Sequence, residues 1–305
     1  MQGEESTPTP PTRFETAFDP PFVGRSRETA SLHRIVAEVL AGSTRIVAIA
    51  GEPGIGKTRL AHETATFASR HGFQVFWGRC NESGWAPSYW PWIQIIRSYI
   101  TASDRKTVQS LMGKRAMHIG EVVEEVRDLL PDLPHPDPVE PQVRRYLFFQ
   151  AATGFIERAS QRQPLLLIID DLHWADTSSL HLLEFLTQSI HDGRVLLIAT
   201  YRNVSMSSSH PLTPTLGELA RNPSFVQMSL EPFSADDVAV YFAGATGGAI
   251  PPEIASRLHG RTEGNPLYVS EMTKLLALHE LQPTGLMDVP ETVQLAIGQR
   301  LELPC

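Results

Sequence analysis

The chain is 305 residues long, 42 % hydrophobic and 20 % charged, an ordinary globular composition with enough length for one large domain or two small ones. Its formal net charge of −8 leaves no electrostatic footprint for nucleic acid over this segment. No apolar run approaches the roughly 18 residues a membrane helix needs. Cys80 and Cys305 stand far apart in no metal spacing, so they read as two reduced thiols of a cytosolic protein.

Met1 to about Pro21 is rich in Pro, Thr and Glu and reads as a disordered tail, without the basic region and apolar stretch of a secretion signal. Phe22-Val23-Gly24-Arg25 breaks that polarity. A helical pattern follows with Leu32, Ile35, Val36, Val39 and Leu40 on one face, ending at Gly42. Arg45 to Ala50 is short and apolar enough for a buried parallel strand.

The next stretch, Gly51-Glu52-Pro53-Gly54-Ile55-Gly56-Lys57-Thr58, matches the phosphate-binding pattern G-x-x-x-x-G-K-[ST]. Glycines let backbone N–H groups curl around phosphate oxygens with no Cβ in the way. The helix that starts here and runs through Arg59 adds unsatisfied donors and the positive end of its dipole. Residues 51–59 are therefore the candidate nucleotide contacts. Lys57 can reach the β- and γ-phosphates, and the Thr58 hydroxyl can ligate Mg²⁺. A glycine-rich turn that merely resembles the motif is the bland alternative, and strand, loop and helix in the right order argue against it.

Phe73 to Trp77 reads as a second strand, and Arg79 to Pro91 as a loop. Trp85, Tyr89, Trp90 and Trp92 crowd together there, either as a stacking platform for bases or, favoured without interleaved basic residues, packed against the domain. A helical insert over about 91–160 follows. It comprises a helix over Pro91–Ile100, a second with Met117, Val122, Val123, Val126, Leu129 and Leu130 at helical spacing, and a proline-rich connector from Pro131 to Pro141. A third helix over Gln142–Ser160 turns Val143, Tyr146, Leu147, Ala151, Phe155 and Ile156 inward.

Leu165 to Ile169 is an apolar strand ending in Asp170-Asp171, the Walker B pattern. The carboxyl end of a parallel strand is where an α/β sheet presents its ligand groups. Asp170 can hold Mg²⁺ opposite Thr58, directly or through water, and Asp171 can orient the attacking water. Acids also commonly cap strands, so the upstream phosphate loop is what gives the pair weight. A helix capped by Asp176 or Thr177 follows, burying Leu180, Leu183, Leu186 and Ile190. His173, His181 and His191 show no metal-ligand spacing, and His62-Glu63 lacks a second histidine.

Val195 to Thr200 is a fourth strand ending in Tyr201-Arg202, where a cation suits a γ-phosphate sensor or, more blandly, a surface ion pair. Phe225 to Leu230 is a fifth. From Glu231 the pattern is helical: a capping box at Ser234 and Asp237, a short helix after Pro251-Pro252, a third with Asn265 as N-cap and Pro266 first, and a last from about Glu291 to Leu301. The expected fold is a doubly wound, parallel five-stranded α/β P-loop domain over 22–232, with a smaller helical lid over 233–305.

Five blocks carry a family resemblance: Phe22 to Arg25, Gly51 to Thr58, Leu165 to Asp176 with its Asp-Asp-Leu-His-Trp-Ala-Asp, Thr200 to Arg202, and Gly264-Asn265-Pro266-Leu267. The chain resembles the signal-transduction ATPases with numerous domains, near the AAA+ ATPases, as found in large LuxR-type transcriptional regulators and beside bacterial nucleotide-cyclase domains. The resemblance implies that Val23 and Gly24 lie by the adenine, that Arg202 senses the γ-phosphate, and that Pro266 of the lid touches the nucleotide. It also implies a switch: a closed ADP form, exchange to ATP, opening with self-association, and slow hydrolysis that resets the state. Asp171 departs from the wider pattern, where a glutamate is usual; one methylene shorter, it suits a switch better than a fast motor. Relatives carry further sensor and effector elements, so this chain is expected to be one part of a longer or split system. No N-K-x-D or T-K-x-D guanine motif occurs, so ATP is expected over GTP. A non-hydrolysing nucleotide-binding scaffold, and a DNA-associated ATPase of the origin-recognition type, are the competing readings.

Overall fold

The structure, a computed structural model, describes residues 21–82, 85–190, 193–203 and 210–278. The expected tail, apart from Pro21, and the expected helix over Glu291–Leu301 lie outside them. The described residues fall into two compact units, Arg25–Glu231 and a helical one made of 21–24 with 232–278.

The first unit is built on β1 (Arg45–Ala50), β2 (Gln74–Arg79), β3 (Leu165–Asp170), β4 (Val195–Tyr201) and β5 (Phe225–Ser229). Every pairing is parallel, in the order β2-β3-β4-β1-β5. Strands β3 and β4 are buried at every position, which is why their sequences are unbroken apolar runs rather than alternating ones. The register sets Arg79 beside Asp170, Ile169 beside Ala199 and Ala50 beside Tyr201. The carboxyl ends of four neighbouring strands thus lie in one row.

The helices of this unit begin with α1 (Ser26–Leu40) and α2 (Lys57–Arg70). Those of the insert are α3 (Trp90–Thr101), α4 (Arg105–Met112), α5 (Ala116–Ile119), α6 (Glu125–Leu129) and α7 (Pro141–Arg162), and then come α8 (Thr177–Ser189) and α9 (Leu212–Leu219). Two of them, α4 and α9, carry no sequence signal that we identified. The single helix expected through Met117 and Leu130 is broken into α5 and α6. The break falls at Gly120, whose carbonyl accepts a hydrogen bond from Arg127 Nε at 3.1 Å while the Arg127 stem crosses the space a Cβ would fill. The inward face expected for α7 also needs correction. Val143 and Tyr146 are 45 % and 51 % exposed, and burial starts only from Phe148 and Phe149 onward. The tryptophan cluster divides: Trp92 is 1 % exposed and donates its indole N–H to the Ser179 carbonyl at 3.0 Å, whereas Trp85 is exposed. Asp176, rather than Thr177, caps α8 by accepting from the Ser179 N–H.

The helical unit holds α10 (Ala235–Thr246), α11 (Pro252–Thr262) and α12 (Pro266–Leu278) around Phe233, Val238, Tyr241, Ile254, Leu258, Val269 and Met272. The Ser234–Asp237 capping box forms as expected, and Asn265 Oδ1 accepts from the Leu267 N–H at the start of α12. Val23 packs against this core, and Gly24, at φ +69°, faces Phe233 and Asp237. Both residues were expected in the α/β domain and lie instead with the helices.

One close approach fixes the insert on the sheet. A Cβ on Gly78 of β2 would stand 2.2 Å from the Pro91 carbonyl oxygen of α3, so only glycine lets helix and strand meet there. Gly78→Ala is expected to lower stability by about 1–3 kcal/mol through forced separation of α3 from β2. A lower urea midpoint, with the m-value unchanged, checks it.

Candidate nucleotide site

The site grows from the turn between β1 and α2. Gly54 and Gly56 adopt left-handed backbone (φ +77° and +98°), which lets the chain reverse and start α2 at Lys57. The first N–H groups of α2 have no acceptor within their own helix and face the turn they close. Ile55 is buried beneath the loop. Arg25, only 5 % exposed, donates from Nη2 to the Ile55 carbonyl (3.0 Å) and from Nη1 to the Glu231 carbonyl (2.7 Å). This guanidinium pins the phosphate loop to the end of the sheet. The sequence offered it only as the last residue of the Phe-Val-Gly-Arg block.

Lys57 Nζ donates to the carbonyl oxygens of Gly51 (3.0 Å) and Glu52 (2.8 Å). Burial pulls its ammonium down to about 8, with Arg202 adding to the shift and Asp171, Asp170 and Glu52 opposing it. Next to it the Thr58 hydroxyl points at both Asp170 carboxylate oxygens, at 3.0 and 3.2 Å. Asp170 is 3 % exposed. Its Oδ1 also accepts from the Thr200 hydroxyl at 2.6 Å, and Thr200 Oγ1 in turn accepts from the Asp171 N–H at 3.0 Å. The sequence offered Thr200 only as the first residue of the Thr-Tyr-Arg block, with no role of its own. The available signal was a lone hydroxyl near the end of the apolar run Val195–Ala199.

Asp171 sits in left-handed backbone (φ 58°, ψ 43°), a conformation that aspartate tolerates better than most residues. Its carboxylate lies 3.7 Å from an Arg79 guanidinium nitrogen. Burial and then Asp170 push its pKa up, while Arg79, Arg202 and Lys57 pull it back. Arg202, half-buried just past β4, bears on Lys57, Asp171 and His173 electrostatically. Arg59 pairs with Glu63 at 2.9 Å on the exposed side of α2. The structure thus gathers the 51–58 loop, Asp170, Asp171 and Arg202 in one unit, whereas Val23, Gly24 and Pro266 belong to the helical unit.

The donor set fits a small hard cation. A hydroxyl and a carboxylate within 3.0 Å of each other are the oxygen ligands Mg²⁺ takes when phosphates supply most of its coordination. Among the described residues no group of three or more His, Cys, Asp or Glu gathers to hold a metal.

A parallel sheet, a glycine loop feeding a helix start, and a lysine, threonine and aspartate converging on that loop define a P-loop nucleotide-binding protein. The chain belongs to the AAA ATPase domain family, which matches it over residues 21–198. It is 22 % identical over 263 residues to an uncharacterized protein of Rhizobium meliloti (strain 1021), covering 83 % of this chain and 25 % of that protein. Its fold is similar to that of a Signal Transduction ATPase with Numerous Domains (STAND) protein with a tetratricopeptide repeat sensor from Pyrococcus horikoshii (TM-score 0.50, 17 % identity, 86 % of this chain and 33 % of that one). It is also similar to Drosophila ORC bound to DNA (TM-score 0.54, 12 % identity, 96 % and 71 %). The chain therefore spans about a quarter of the Rhizobium relative and a third of the Pyrococcus protein. Among the described residues no helix is long and apolar enough to cross a membrane.

His173, in the turn after Asp171, is 4 % exposed, and neither ring nitrogen has a hydrogen-bond partner among the described residues. Burial, then Arg202, Lys57 and His210, pull its pKa down to about 3 from an ordinary 6.5. The unfolded chain therefore binds a proton near pH 6.5 that the folded protein refuses until about pH 3. The stability this difference supplies is complete above pH 6.5 and is lost as pH falls below it. Urea midpoints at pH 7 and 4.5 are expected to show wild type losing about 2 kcal/mol more than His173→Gln over that interval.

Proposed function

We propose that this chain is the ATP-binding, slowly hydrolysing switch module of a signal-transduction ATPase, working within a longer regulator whose sensor and effector are separate elements. The observation that carries the reading is the hydrogen-bonded contact of Thr58 with Asp170, with Lys57 and Asp171 on either side of it. In this reading the amides of 51–58 cradle the phosphates. Lys57 exchanges its bonds to the Gly51 and Glu52 carbonyls for phosphate oxygens, and Thr58 and Asp170 hold Mg²⁺. The ion, when bound, offsets phosphate charge. Asp171 orients a water and takes its proton as the water oxygen bonds to the γ-phosphorus. The bond to the β–γ bridging oxygen breaks, giving ADP and phosphate. Arg202 stabilises charge on the transferring oxygens.

Slowness follows from Asp171, whose carboxylate is one methylene short of a glutamate's reach. A slow reset suits a timer of the ATP state, in which the module self-associates. The DNA of the Drosophila structure is not carried over, because a net charge of −8 opposes a phosphate backbone.

Two variants test the reading. Lys57→Ala is expected to weaken ATP binding at least tenfold, and Asp171→Asn to keep ATP binding while reducing phosphate release by about 100-fold or more. Calorimetric titration and single-turnover phosphate release measure the two quantities. Equal release from wild type and Asp171→Asn would leave a nucleotide-binding scaffold and end the ATPase reading.

A further inference from the structure

His173 carries a cost that the packing of the sheet does not explain. Its ring is buried, and Nδ1 and Nε2 both lack a hydrogen-bond partner among the described residues. A core histidine normally satisfies at least one nitrogen, and an apolar side chain would fill the same space with no water bonds to lose. The main chain around it is held. In the turn Leu172–Trp174 the Trp174 N–H donates to the Asp171 carbonyl (2.9 Å) and the Ala175 N–H to the Leu172 carbonyl (3.0 Å). The Asp171 N–H bond to Thr200 ties the start of that turn to β4. His173 thus stands at a fixed point with two unused nitrogens.

The surroundings of the ring indicate which partner it lacks. Trp174 tilts against it, with ring centroids 5.0 Å apart. Arg202, Lys57 and His210 bear on it electrostatically. A neutral imidazole offers one N–H donor, and a donor beside two cations suits an acceptor that carries negative charge. Lys57 and Arg202 converge on one such group of the proposed ligand, the γ-phosphate, which ADP does not have.

Resting on the reading of the 51–58 loop as an ATP site, we infer that His173 is a specificity-determining residue that donates a ring N–H to the γ-phosphate. The loop amides and Lys57 also meet the β-phosphate, which ATP and ADP share, so they separate the two nucleotides weakly. A buried donor that ATP satisfies and ADP leaves unpaired separates them directly. The cost of the orphaned imidazole then falls on the ADP form alone, and the module tells its two states apart through it.

Calorimetric titration of the whole chain with ATPγS and with ADP, each with Mg²⁺, tests the inference. His173→Leu is expected to weaken ATPγS binding about tenfold and to leave ADP binding within about twofold, and His173→Gln, which keeps a donor, to recover part of the loss. The urea midpoint of His173→Leu at pH 7 should be unchanged or raised, because an unpaired polar group is replaced by an apolar one. An equal loss for both nucleotides, the mark of a merely structural side chain, overturns the inference, and so does no loss for either. A second measurement needs no affinity from a variant. In ¹⁵N-histidine spectra the His173 signals, assigned by their absence in His173→Gln, should shift with ATPγS and not with ADP; signals moved equally by both, or by neither, overturn it. If ATPγS does not bind the wild type, this inference and the ATP-switch reading fall together. If it binds the wild type and His173→Leu equally well, only this inference falls.

Discussion

A carboxylate buried at the end of an apolar strand is the constraint on which the site depends. Asp170 closes a strand with no exposed position, and a charge in that setting costs several kcal/mol unless hydrogen bonds replace its water. Two threonine hydroxyls supply them, one from the start of α2 and one from the end of β4. The carboxylate thereby ties the phosphate loop to the centre of the sheet. Moving either threonine would uncover a buried charge, so the loop, β3 and β4 are held to one geometry. That geometry places a hydroxyl and a carboxylate where a phosphate-bound cation needs them.

Around this junction the charges are arranged to stay unbalanced. Lys57 is buried with its ammonium weakened, and Asp171 is half-buried with its pKa pushed up, while Arg79 and Arg202 bear on Asp171 from the strand ends on either side of β3. An incoming phosphate supplies Lys57 with the counter-charge that burial withheld. Arg25 works on the backbone side of the same loop, taking up the Ile55 carbonyl and linking it to the end of β5. The helical insert enters through Gln94 and Pro91, both on α3 and both directed at β2.

Much of this was legible in the chain because the signals were local. The phosphate loop needs glycines at fixed spacing, and Gly54 and Gly56 adopt the left-handed backbone that explains them. The three central strands are buried at every position but Arg45, and each carries a long apolar run. The capping box at Ser234 and the Asn265-Pro266 helix start are satisfied within a few residues. Errors came where periodicity alone was followed. Val143 and Tyr146 have the spacing of a buried face, yet the first turns of α7 run past the core they would join. The pattern from Met117 to Leu130 has the spacing of one helix, yet Gly120 and the Arg127 side chain folded onto its carbonyl divide it.

The sequence by itself determined the phosphate loop, the succession of the five strands along the chain, and the acid pair that ends β3, since each is written in neighbouring residues. Only the tertiary structure decided which distant groups complete them. Thr58 meets Asp170 across 112 residues, Thr200 meets Asp170 across 30, and Arg25 meets Glu231 across 206. Such partners leave no mark of spacing, because a parallel sheet joins strands through crossovers of any length. Its register, set by packing the apolar faces, chooses which side chains come to stand side by side.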